Sequence, residues 1–126
     1  MSSNTPRRKI GIVVFPHAQA LDVTGPHEVF ASALPGLSAP ERLYEVFLVA
    51  RSLAPIEMTS GIKLQPDFTF ESCPFPLDTL IVPGSEVIDE VRHDPELLDW
   101  IGRHVGDTRR LVSICTGAYF LAELGL

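Results

Sequence analysis

Leu111-Val112-Ser113-Ile114-Cys115-Thr116-Gly117-Ala118-Tyr119-Phe120-Leu121-Ala122 decides how the rest of the chain is read. Leu111 to Ile114 is the short apolar run of a buried strand, and the segment from Thr116 onward is almost wholly apolar, which predicts a helix buried on most sides. Between them stands one cysteine, with a glycine two residues on. A strand that turns this sharply into a helix is the join of an α/β domain. In the hydrolase form of such an elbow, the positions two before and two after the nucleophile are glycine, because a side chain there would collide where strand and helix nearly touch. Ser113 and Gly117 are a relaxed version of that solution.

Working outward, the same alternation recurs. Lys9 to Phe15 is an almost continuous run rich in β-branched residues, as in a parallel strand covered on both faces. Thr24 is read as the cap of a helix with Pro26 in its early turn, an inner face of Val29, Phe30 and Ala33 or Leu34, and a stop at Pro35-Gly36. Residues 35–42 read as a loop and Tyr44 to Ala50 as a second strand. Thr59-Ser60-Gly61 is a turn that allows two short strands at 55–58 and 62–64. Thr79 to Val82 is a third strand, stopped by Pro83-Gly84. Asp94-Pro95-Glu96 opens a helix through Leu97, Leu98, Ile101 and Val105, and Leu111 to Ile114 is the fourth strand. The pattern predicts a mostly parallel sheet with helices on both faces. Residues 1–8 form a polar leader and 9–126 one domain, which is expected to be incomplete at its C-terminal end.

Composition narrows the chemistry. The 126 residues, 45% of them hydrophobic, suffice for one core, and eleven prolines with nine glycines argue against a helical bundle. A formal net charge of -6 repels phosphate backbones, and Arg7-Arg8-Lys9 reads as a solvated tail. No segment has the length of a secretory h-region or a membrane span. The two cysteines, in unlike contexts, form neither a disulfide framework nor a metal-ligand spacing, which places the chain in the cytoplasm. No metal or other cofactor is expected, since no ligand cluster or phosphate-cradling glycine loop occurs.

Six residues are candidates for a site. Cys115 at an elbow faces the amides of the following helix, which lower a thiol pKa; equally, a free cysteine serves as a small buried hydrophobe. The Thr116 N–H is a candidate oxyanion donor and Gly117 the close-packing residue. Asp22, among apolar neighbours, either caps a helix or exchanges a proton with the Cys115 sulfur. Pro83-Gly84-Ser85 is either a simple turn or a point of close backbone approach to a ligand. Asp22, Gly84 and Cys115 all follow carboxyl ends of predicted parallel strands, where open α/β sheets form their crevices. His17, His93 and His104 read as solvated, His27 as either a neighbour of Asp22 or an incidental residue at a helix start, and Cys73 as a bystander.

Leu21-Asp22-Val23-Thr24-Gly25-Pro26 with Val29-Phe30, Leu77 to Gly84, and Ser113-Ile114-Cys115-Thr116-Gly117 together resemble the PfpI-like branch of the class I glutamine amidotransferase-like superfamily. The resemblance spans nearly the whole chain and implies a flavodoxin-like α/β sandwich. It departs at Ser85, where members commonly carry a second glycine. Family domains also continue past the position of Leu126, and many carry a further histidine near the site.

Two kinds of member are similar. Arg109 to Ser113 and Leu121 to Leu126 look most like the ligand- or redox-sensing domain of AraC-type transcriptional regulators, which implies a small-molecule ligand and DNA bound only through a C-terminal module outside this chain. Gly25 to Val29 is also similar to isonitrile hydratase, which implies Cys115 as nucleophile, Asp22 as acid or base and Thr116 as a contributor to the site. The sensor domain is the first expectation and the enzyme the alternative. A truncated, nonfunctional chain is a third reading, whose exposed sheet edge would favour a homodimer.

Overall fold

The computed structural model describes residues 7–34 and 42–126. β1 (Arg8–Val13) lies between β2 (Tyr44–Ala50) and β6 (Thr79–Val82), and β5 (Phe68–Thr69) and β7 (Arg110–Ser113) flank them in the order β5-β2-β1-β6-β7. Every pairing in this five-stranded sheet is parallel, with Ile12 level with Leu48 on one side and Ile81 on the other. β3 (Ile56–Glu57) and β4 (Lys63–Leu64) form a separate antiparallel hairpin around the Thr59-Ser60-Gly61 turn, as its turn chemistry predicts.

Strand alternation divides the core. Ile10, Ile12 and Val14 pack on one face with Val23 and Phe30 of α1 (Ala20–Ala31). Val13 and Phe15 face the other layer, with Leu97, Trp100 and Ile101 of α3 (Pro95–His104) and Phe120 of α4 (Ala118–Glu123). Helices therefore cover both faces, as the alternation implied. The short α2 (Ile88–Val91) and the two-residue β5 escaped the sequence reading, being too brief to show a period.

The sequence signal at Asp94 holds. Its carboxylate accepts the Glu96 and Leu97 N–H groups at 3.0 and 3.3 Å, and Pro95 occupies the first turn. The expected start of α1 does not. The helix begins at Ala20, four residues before Thr24, whose hydroxyl donates to the Ala20 carbonyl at 3.1 Å inside the helix. A tertiary bond overrides the local signal, since the Gln19 N–H donates to the Gly84 carbonyl and fixes the helix entry against β6. Pro26 then sits mid-helix, and the expected inner-face residue Val29 is 68% exposed. Leu34 is also exposed, so Val23 and Phe30 carry the packing.

Three further expectations change. β1 opens at Arg8, one residue before the expected start at Lys9. α4 is less buried than its composition suggested: Phe120 is fully covered, whereas Ala118, Tyr119 and Ala122 are exposed. His104 is only partly exposed and stacks on Phe75 with ring centroids 3.8 Å apart; burial, followed by the Arg103 charge, lowers its pKa. The expected loop and the Pro35-Gly36 stop fall at 35–41, outside the described residues.

Candidate functional site

From β1 the chain passes to β2 on one side and later to β6 on the other, and this reversal leaves a crevice beyond the carboxyl ends of β1 and β6. Gly84 lies at its centre. A Cβ there would stand 2.5 Å from the Thr116 hydroxyl oxygen, 2.8 Å from the Thr116 nitrogen and 3.2 Å from Asp22 Oδ2. Three segments distant in sequence thus meet over one glycine, and any side chain would force them apart.

Asp22 is in the first turn of α1, and its Oδ2 accepts the Gly84 N–H at 3.1 Å. Ser85 is buried, and its hydroxyl donates to the His17 carbonyl at 2.6 Å and accepts from the Val87 N–H. The Thr116 hydroxyl accepts the Ser85 N–H at 3.0 Å and donates to the Ser85 carbonyl at 3.1 Å. That pair uses both the single proton and a lone pair of the threonine, and clamps the β6 tip to the β7 turn.

Cys115 stands where β7 ends and a single 3-10 turn, Cys115–Gly117, leads into α4. Its φ is 54°, in the left-handed region that a non-glycine residue enters only at a cost, and the residue is exposed. The turn is held by the Ile114 N–H on the Val82 carbonyl and by the Gly117 N–H on the Ile114 carbonyl. A Cβ on Gly117 would approach the Val82 carbonyl oxygen to 2.2 Å, so the small residue expected there is sterically required.

The six candidates therefore gather at one end of the sheet, with one expected contact missing. Among the described residues no hydrogen bond joins the Cys115 thiol to Asp22, whose carboxylate holds the Gly84 amide instead. His17 and Thr59 also belong to this end of the sheet. His17 has φ 67°, and its carbonyl accepts both the Ser85 hydroxyl and the Thr59 hydroxyl, the latter at 2.7 Å. These are main-chain roles, and side-chain identity carries no signal for them. His93 is largely exposed and lies 3.5 Å from Glu123. Cys73 is buried in the core, and desolvation pushes its thiol up to about 12. No group of three or more His, Cys, Asp or Glu able to hold a metal occurs among the described residues. No helix among them is long and apolar enough to cross a membrane.

A parallel sheet covered on both faces, with a cysteine on a strained turn beyond β7, defines the class of domain. Residues 8–126 match the DJ-1/PfpI family, and the chain belongs to it. Isonitrile hydratase of Pseudomonas putida is 38% identical over 118 residues, which cover 94% of this chain and 48% of that protein. An HTH-type transcriptional regulator of Mycobacterium tuberculosis is 47% identical over 51 residues, which cover 40% of this chain and 20% of that protein. The chain thus spans less than half the length of either relative. Among solved structures, a THiJ/PfpI family protein from Pseudomonas syringae superposes with a TM-score of 0.83 at 26% identity, covering all of this chain and 53% of that one.

Proposed function

We propose that Cys115 is a nucleophile for a small electrophilic molecule, and that the domain uses it in the hydration of a carbon–nitrogen substrate of the isonitrile class. The observation that carries this reading is the turn itself: an exposed cysteine at φ 54°, next in sequence to Thr116, which packs against the Asp22–Gly84 pair. Strain of that kind persists where the surrounding structure enforces it, and here the Thr116–Ser85 clamp and the Gly117 contact do so. The identity to isonitrile hydratase across 94% of the chain supports the choice of substrate class.

In this reaction the Cys115 thiolate adds to the terminal isonitrile carbon, and a proton delivered to the adduct gives a thioimidate. Water then adds to the same carbon, the carbon–sulfur bond breaks, and an N-substituted formamide leaves as the thiolate is regenerated. The sum is one isonitrile plus one water, with no redox change. Asp22 is the acid and base for the two proton movements, and Gly84 and Ser85, held by Asp22 and Thr116, shape the pocket wall. The two free cysteines, neither in a disulfide, suit a reducing cytoplasm.

The test is turnover of cyclohexyl isocyanide followed by proton NMR. Wild type is expected to form the formamide; Cys115→Ser is expected to lower the rate by about a thousandfold or more, and Asp22→Asn by about a hundredfold. A wild-type protein inert towards isonitriles would overturn the catalytic reading. A second reading, the sensor domain of an AraC-type regulator, draws on the regulator identity and on the engagement of Asp22 with an amide rather than with sulfur. In that case a small ligand or oxidant at Cys115 acts on a DNA-binding module elsewhere in the polypeptide. It expects modification of Cys115 to change DNA affinity while isonitrile is not consumed.

A further inference from the structure

A second cavity lies past the ends of β1 and β2, between the β3–β4 hairpin and the first turn of α3. Its volume is about 270 Å³, and its walls include Phe15, Pro16, Pro55, Ile56, Phe70 and Leu97. None of the six residues of the cysteine site lines it. At the mouth stands Arg51, whose Nη2 donates to Asp94 Oδ2 at 2.6 Å and whose Nε meets Glu96 Oε2, also at 2.6 Å. Asp94 Oδ1 is occupied by the Glu96 and Leu97 amides. Among the described residues Arg51 Nη1 makes no hydrogen bond, which leaves one edge of an otherwise fixed guanidinium available.

We propose that this cavity binds a compact, uncharged, mainly apolar organic molecule carrying one hydrogen-bond acceptor, which meets Arg51 Nη1. The size follows from the volume: at about 30 Å³ per water-sized group, the cavity holds about nine non-hydrogen atoms. The charge state follows from the surroundings. Glu57 and Asp94 line the cavity and Glu96 adjoins it, three carboxylates against one guanidinium, so an anion is repelled. A cation would have to shed its water against aromatic and aliphatic walls while Asp94 and Glu96 are already paired with Arg51, which costs more than it returns. A neutral molecule buries its apolar body and makes one charge-assisted hydrogen bond, the usual design of a small-molecule site. The inference is independent of the reaction proposed for Cys115, because it uses no residue of that site.

The probe is 4-fluorobenzyl alcohol, added to the full chain and followed by fluorine NMR and by amide shifts of the labelled protein. Saturable fluorine broadening is expected, with amide shifts at Ala54, Ile56 and Leu97. Ala54→Trp fills the mouth from an exposed position and is expected to weaken binding at least tenfold while the circular dichroism spectrum is kept. The proposal is overturned if wild type shows no saturable change up to about 10 mM, a range that already includes millimolar affinity. It is equally overturned if the shifts centre on Gly84 and Thr116, which would put the probe in the cysteine site.

Discussion

Gly117 has no room for one more carbon. The Val82 carbonyl would lie 2.2 Å from a Cβ and the Pro83 carbonyl 2.9 Å, and both obstacles are backbone that cannot rotate aside. Gly117→Ala should therefore lower the unfolding free energy by about 2 kcal/mol or more, since overpacking a closed contact moves main chain. Gly106, with nothing within 4 Å of its Cβ position, is the control. Gly106→Ala should stay within about 0.5 kcal/mol of wild type in urea unfolding; equal losses in both variants would refute the contact argument. The need for a small residue at 117 was legible in the sequence because it follows from strand, cysteine and helix succeeding one another within five residues. The partner of Asp22 was not, because a carboxylate beside a turn can take any amide the tertiary structure offers, and here Gly84 offers one 62 residues away.

Among the elements, α3 and α1 show what makes a helix boundary readable. At α3 the start signal is local: Asp94 caps, Pro95 follows, and the apolar spacing brings Leu97, Trp100 and Ile101 to the core. Asp94→Ala should cost about 1 kcal/mol in chemical unfolding, typical of a lost N-cap, and should also free Arg51 from one of its two carboxylates. A loss indistinguishable from zero would mean that the Pro95 turn and the buried face suffice without the cap. At α1 the boundary is set from outside, by the Gly84 carbonyl on the Gln19 amide, and Gln19 caps with no side-chain bond of its own. A reading confined to neighbours in sequence therefore starts the helix five residues late and counts Val29 with the inner face, although Phe30 does turn inward as expected. The strands Tyr44–Ala50 and Thr79–Val82 keep the bounds expected of them, since an apolar run buried on both sides is recognised without a cap.

Over the molecule as a whole, the amino ends of the central strands are tied at Asp78. Its N–H donates to the Lys9 carbonyl, its own carbonyl accepts the Arg110 N–H, and its carboxylate takes two bonds from Arg109, at 2.6 and 3.3 Å. The Arg109 hydrogen bonds hold this carboxyl below the usual range, against the opposing effect of burial, with Thr79 and the Arg8 charge adding to the lowering. A depressed folded-state pKa stabilises the fold above the unfolded value of about 3.9. That stability is lost as pH falls through the folded value. Arg109→Met should accordingly be less stable than wild type at pH 7, with the gap narrowing once the pH drops below about 4 and closing in stronger acid. A gap unchanged in thermal melts from pH 7 to pH 2 would show that the Arg109 contribution is not ionic. The two thiols differ by the same logic of burial. Cys73 is enclosed, and burial pushes its thiol up to about 12, so that it stays protonated at neutral pH, whereas Cys115 is open to solvent. Within residues 1–126 a maleimide fluorophore or spin label thus has a single accessible address, and the reporter arrives at the mouth of the crevice.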